Sequence, residues 1–64
     1  MPEVAVTPIA FIRAIAAAYR RYGKDPDPAL RRARITPESL TNPANRVTGS
    51  QMETLFGIAI KELD

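Results

Sequence analysis

The side chains able to do chemistry are few in this chain, and their spacing does not favour it. The 64 residues include no histidine and no cysteine. That removes the commonest general base, the commonest metal ligands and the thiol nucleophile. Asp25 and Asp27 stand two residues apart, but each precedes a proline. They read as turn and cap residues, and a divalent cation would want more oxygen ligands. Glu38 occupies a capping position, and Glu53, Glu62 and Asp64 lie on a helix face with Lys61 among them, the pattern of solvated charge. The three glycines are isolated, so no phosphate-cradling loop is present. No catalytic residue, metal ligand or cofactor is expected, and the chain is expected not to be an enzyme.

One charged constellation remains. Arg20, Arg21, Lys24, Arg31, Arg32 and Arg34 fall within fifteen residues. Helix-turn-helix modules present such basic helices to the major groove. Base reading would want Asn, Gln, Ser or Thr beside the arginines, and the stretch from Pro28 to Arg34 has none. The connection Asp25-Pro26-Asp27-Pro28 is also unlike the short glycine-containing turn of that motif. A solvated face or a protein contact is favoured. Nucleic-acid contact through Arg20, Arg21, Arg31, Arg32 and Arg34 is the alternative.

The elements that would position these residues are helical. From Ser50 to Leu63, the residues Met52, Leu55, Phe56, Ala59, Ile60 and Leu63 recur at three- and four-residue steps and form one stripe. Thr48 with Gln51 fits a capping box at the start of this helix, and Val47 just before the cap is placed to staple onto Met52. Thr7-Pro8 opens the first helix and Gly23 closes it, with Phe11, Ile12, Ile15, Ala18, Tyr19 and Tyr22 as its inner stripe. Asp27-Pro28 and Thr36-Pro37 start two short helical pieces. These signals predict an all-α fold: two longer helices, about 8–22 and 49–63, with short helices at about 28–34 and 37–41. Residues 1–7 are a flexible lead-in, and 8–64 form one helical subdomain. Leu55, Phe56, Ile60 and Leu63 are expected to pack on Phe11, Ile15, Tyr19 and Leu30, so that Phe56→Ala would cost about 3–5 kcal/mol.

The apolar arc of the first helix is wider than a two-layer packing needs, since Ile9, Ala14, Ala16 and Ala17 flank its inner stripe. Either alanine is there as the best helix former, or a second side is covered by another protein surface. Gly57 inside the last helix is either a tolerated surface glycine or a point of close backbone approach. With Ile58 it lies off the stripe. Ala14, Ala17, Gly57 and Ile58 are therefore the candidate protein interface.

Composition sets the remaining bounds. A 64-residue chain buries only about 60% of its extended surface and is marginal unless stapled or assembled. No disulfide can form. The 45% hydrophobic content is too high for a disordered tail. No run of eighteen apolar residues occurs, so no membrane partner is expected, and Met1-Pro2-Glu3-Val4 lacks the pattern of a signal peptide. A cytoplasmic location follows as the default. The net charge of +2 is uneven: residues 1–34 carry seven Lys/Arg against three Asp/Glu, and residues 35–64 carry two against four.

The order of the motifs carries a resemblance. An apolar, alanine-rich helix from Phe11 ends at Tyr22-Gly23. It is followed by Asp27-Pro28-Ala29-Leu30-Arg31-Arg32-Ala33, Ile35-Thr36-Pro37-Glu38-Ser39-Leu40 and Asn42-Pro43-Ala44-Asn45-Arg46-Val47. The last helix ends Lys61-Glu62-Leu63-Asp64. Over residues 9–64 this resembles the N-terminal effector region, often termed arabinose-binding-like, of AraC-type bacterial transcription regulators. Arg34 stands where a glycine is common in that family, so the end of the second helix is expected to close differently. Thr48-Gly49 stands where proline and an aliphatic residue are common, which loosens the entry to the last helix.

The resemblance implies a sensing and oligomerising subdomain, a fragment of a longer regulator, whose DNA reading belongs to a C-terminal domain with two helix-turn-helix motifs. Its partners would be the remainder of that regulator and further copies of itself, with DNA reached only through the C-terminal domain. It carries over no effector-binding residue. A free-standing small DNA-binding domain using the basic cluster is the alternative.

Overall fold

The structure, a computed structural model, describes residues 4–63. Strand β1 (Ala5–Pro8) leads directly into helix α1 (Ile9–Arg21). Helix α2 (Asp27–Arg32) and a 3₁₀ turn (Pro37–Thr41) follow. Strand β2 (Arg46–Thr48) then leads directly into helix α3 (Gly49–Leu63).

The fold is therefore mixed α and β rather than all-α. β1 and β2 pair antiparallel, with Ala5 opposite Thr48, Thr7 opposite Val47 and Pro8 opposite Arg46, and the ladder is irregular between Ala5 and Thr7. The Arg46 guanidinium adds a hydrogen bond to the Val6 carbonyl at 3.3 Å. Strands of four and three residues are too short for a period-two pattern to stand out, and Pro8 sits at the strand end, where it costs the ladder nothing. The segment expected as a lead-in contains β1; residues 1–3 lie outside the described residues.

Most of the punctuation acts as its chemistry requires. The capping box closes α3 reciprocally: the Gln51 N–H donates to Thr48 Oγ1 at 3.1 Å, and the Thr48 N–H donates to Gln51 Oε1 at 2.9 Å. Thr36 Oγ1 accepts from the Ser39 N–H at 3.3 Å and caps the 3₁₀ turn. Gly23 ends α1 at φ 71°, and the Lys24 N–H reaches back to the Tyr19 carbonyl at 2.9 Å. Two caps differ from expectation. Thr7 makes no side-chain cap on α1; instead the Ile9 N–H donates to the Asn45 carbonyl at 3.0 Å. At α2 the N-cap position is Pro26 and no side chain caps the helix; Asp25 Oδ1 instead accepts from the Asp27 N–H at 3.0 Å in the preceding turn. Arg34 adopts φ 61°, so α2 ends in the left-handed conformation a glycine would take, and the Ile35 N–H bonds the Leu30 carbonyl at 2.9 Å.

The core is built from Ile9, Ile12, Ala16 and Tyr19 of α1, Ala29 and Leu30 of α2, and Ala33, Ile35, Val47, Leu55 and Ala59. Ile15, Leu40, Met52, Ile58 and Leu63 pack against it, half-buried. The expected inner stripes are thus partly wrong. Phe11 is 56% exposed, Tyr22 63%, Phe56 53% and Ile60 53%. Both helices are rotated so that Ile9 and Ala16, and on the other helix Ile58, turn inward. Periodicity on an arc this wide allows several rotations. The strand that feeds each helix selects among them, because β1 fixes Ile9 and β2 fixes Val47 over the same core.

Candidate functional site

The rotation of α1 and α3 leaves an apolar face outside. Helical spacing places Phe11, Ile15 and Ala18 on one side of α1, with the C-cap residue Tyr22 just beyond its end, and Phe56, Ile60 and Leu63 on one side of α3. Between the helices, Ile15, Ala18, Phe56, Ala59, Ile60 and Leu63 line an open groove of about 410 Å³. No charged or polar side chain lines it, so it offers contact area and no acid–base or metal chemistry.

A polar tie joins the C-terminal ends of the two helices. The hydroxyl of buried Tyr19 donates to Glu62 Oε1 at 2.8 Å, and the Lys24 ammonium donates to the Glu62 carbonyl. Burial pushes the Tyr19 phenol up to about 12, the Glu62 carboxylate adds to the rise through its hydrogen bond and its charge, and Arg32 opposes it. A second tie joins α2 to α3: the Gln51 amide donates to the Arg34 carbonyl at 3.0 Å. That bond needs a glutamine, since glutamate could complete the capping box but has no N–H to give.

The four residues expected as a protein interface divide into two pairs on separate surfaces. Ala14 and Ala17 are exposed and line a groove with Arg13, Arg20, Pro37 and Leu40. Gly57 and Ile58 line another with Arg32, Glu53 and Lys61. A Cβ on Gly57 would meet nothing within 4 Å, so no backbone among the described residues approaches it. Ile58 is half-buried on the core. The basic residues are all exposed and only partly gathered. Arg32 and Arg34 share a groove with Thr48, Ser50 and Gln51. Arg31 and Arg34 share another with Thr36 and Glu38. Arg20 lies beside Arg13 in the groove with Ala14, and Arg21 is exposed on α1.

Among the described residues, no group of His, Cys, Asp or Glu is placed to hold a metal ion, and no helix is long and apolar enough to cross a membrane. The exposed face is not legible in the sequence, because helical spacing alone places Phe11, Tyr22, Phe56 and Ile60 on the inner stripes. The width of the apolar arc on α1 was the signal that one side had to remain uncovered. Glu62 as the partner of Tyr19 had no signal in the sequence at all.

The order of the elements can now be set beside known proteins. Neither curated proteins nor solved structures give a match. A family described as the arabinose-binding domain of AraC transcription regulator, N-term, matches residues 23–64. The match begins at Gly23, the left-handed residue that closes α1, and runs through α2, the 3₁₀ turn, β2 and α3. It covers about two thirds of the chain, and the order it spans is the one in which the structure places the caps and turns. The chain belongs to the family of N-terminal arabinose-binding domains of AraC transcription regulators.

Proposed function

We propose that this chain is the non-catalytic sensing and oligomerising part of an AraC-type regulator, acting by protein contact while a C-terminal domain reads DNA. The observation that carries this reading is the family membership of residues 23–64. The uncovered apolar face of α1 and α3 supports it, because exposed apolar patches mark contact surfaces. Its partners are the remainder of the regulator and further copies of the chain, in the cytoplasm. The basic residues do not favour a DNA-reading role: α2 is six residues long, and the arginines point into several grooves rather than along one recognition helix.

The test is a titration of the chain against random and promoter-derived duplexes. At about 150 mM salt, both should bind equally and weakly, at about 10⁻⁴–10⁻⁶ M, with steep salt dependence, because clustered cations attract phosphates regardless of sequence. A preference of about a thousandfold for one duplex, lost on Arg31→Ala or Arg32→Ala, would make α2 a base-reading helix and overturn the proposal.

A further inference from the structure

We infer that residues 36–44 are a lid that swings off α1 as one body, hinged at Thr36 and Asn45, while the core beneath stays closed. The inference goes beyond the function proposed above and does not depend on it.

The first argument is where the hydrogen bonds of this segment go. Each closes inside it or onto Asn45. The Ser39 N–H donates to the Thr36 carbonyl at 3.0 Å and to Thr36 Oγ1 at 3.3 Å. Thr41 Oγ1 donates to the Glu38 carbonyl at 2.7 Å. The Ala44 N–H donates to Asn42 Oδ1, and the Asn45 side-chain amide to the Ser39 carbonyl, both at 3.0 Å. The Asn45 N–H donates to the Asn42 carbonyl at 3.0 Å. Among the described residues, no hydrogen bond runs from residues 36–44 to α1, α2 or α3. A segment bonded to itself keeps its shape and gives up no hydrogen bond when it moves.

The second argument is how the segment is fastened. Both ends meet anchored posts. Ile35, just before it, is a buried core residue, and the Gln51 amide holds the Arg34 carbonyl. At the other end the Asn45 carbonyl accepts from the Ile9 N–H at 3.0 Å, and Arg46 enters β2. Thr36 and Asn45 thus join a self-bonded piece to fixed backbone, the position of hinges. Between them little holds it down. The 3₁₀ turn buries no residue, whereas α2 before it buries Ala29 and Leu30 and β2 after it buries Val47. Leu40 is the one apolar side chain of residues 36–44 that packs on the core, and it is half-buried. So few buried contacts place a segment at the low end of local stability. The 3₁₀ turn packs against α1. There Pro37, Leu40 and Thr41 face Ala14, Ala17 and Arg20 across a groove of about 640 Å³. Swinging the lid outward widens that groove and leaves the buried side of α1 closed.

Methyl relaxation dispersion on the chain reads the opening, which belongs to the microsecond-to-millisecond range of lid motions. The methyls of Leu40, Ala14 and Ala17 should share one exchange rate that does not change with protein concentration, while those of Ile12 and Leu55 show no exchange. Leu40→Ala should raise the open population about fivefold, as for exposing about half of a leucine side chain, read at Ala14 and Ala17. The Ser39 and Asn45 amides should keep the hydrogen-exchange rates of the parent chain, because their bonds travel with the lid. Equal exchange at Ile12 and Leu55 would mean that the whole chain unfolds, and a rate that rises with concentration would mean association; either would overturn the inference. Faster exchange of the Ser39 and Asn45 amides in Leu40→Ala would also overturn it, since the segment would then melt rather than swing. Flat dispersion at Leu40, with no response of Ala14 and Ala17 to Leu40→Ala, would show a segment fixed to α1 and end the proposal.

Discussion

Arg34 is the one non-glycine residue at positive φ among those described, at 61°. A side chain in the left-handed region costs about 1–2 kcal/mol. Arg34→Gly should relieve that, offset in part by the greater freedom glycine has when unfolded. A net gain of about 0.5–1 kcal/mol in denaturant unfolding is expected. A loss instead would show that the arginine side chain makes a contact worth more than the strain. The family resemblance implies glycine as the usual type here, but not that the backbone holds its conformation regardless. The Gln51 amide on the Arg34 carbonyl and the Ile35 N–H on the Leu30 carbonyl are what hold it; the second is the local bond of a helix end, and only the first comes from a remote partner.

Tyr19 makes a second residue-level prediction. Its phenol is raised from the usual 10.0 to about 12 by burial first and by Glu62 second. A group whose folded value lies above its unfolded value binds more protons when folded between the two, so stability is full below pH 10 and falls as pH rises toward 12. Stability should fall across that window, and Tyr19→Phe should remove most of this slope in alkaline denaturant titrations. An unchanged slope in Tyr19→Phe would contradict this assignment.

At the scale of elements, the choice of inward face has a direct energetic signature. Leu55 is buried and Phe56 beside it is half-exposed. Leu55→Ala should therefore cost about 2–5 kcal/mol, most or all of the stability of so small a domain. Phe56→Ala should cost only about 1 kcal/mol, the value for a side chain about half removed from water. Chemical denaturation of the two variants measures both. The reverse ranking would restore the face that periodicity alone suggested. Helix positions, the capping box and the Thr36 cap were legible because each depends on residues three or four apart. The strands were not: β1 and β2 are about forty residues apart in sequence, and their pairing exists only once α1 and α3 have closed around Ile9 and Val47.

For the whole molecule, shape sets what assembly must do. The extents are 36 × 22 × 15 Å, and a helix with its side chains is about 10–12 Å across. The thin direction holds little more than one helix and the layer it packs on, so α1 and α3 each keep a free side. Polar residues could have covered those sides. The sequence places Phe11, Tyr22, Phe56 and Ile60 there instead. The sequence shows the uncovered surface as an excess of apolar residues and not as a location, because only the strands decide how the stripes are oriented. Methyl-resolved NMR of the chain over a concentration series tests the contact face most directly. The δ1 methyls of Ile15 and Ile60 are predicted to shift progressively with concentration, while those of buried Ile12 and Ile35 and the methyls of Ala14 and Ala17 stay in place. Shifts confined to Ala14 and Ala17, or none at any concentration, would contradict the claim that this chain works through the face α1 and α3 leave uncovered.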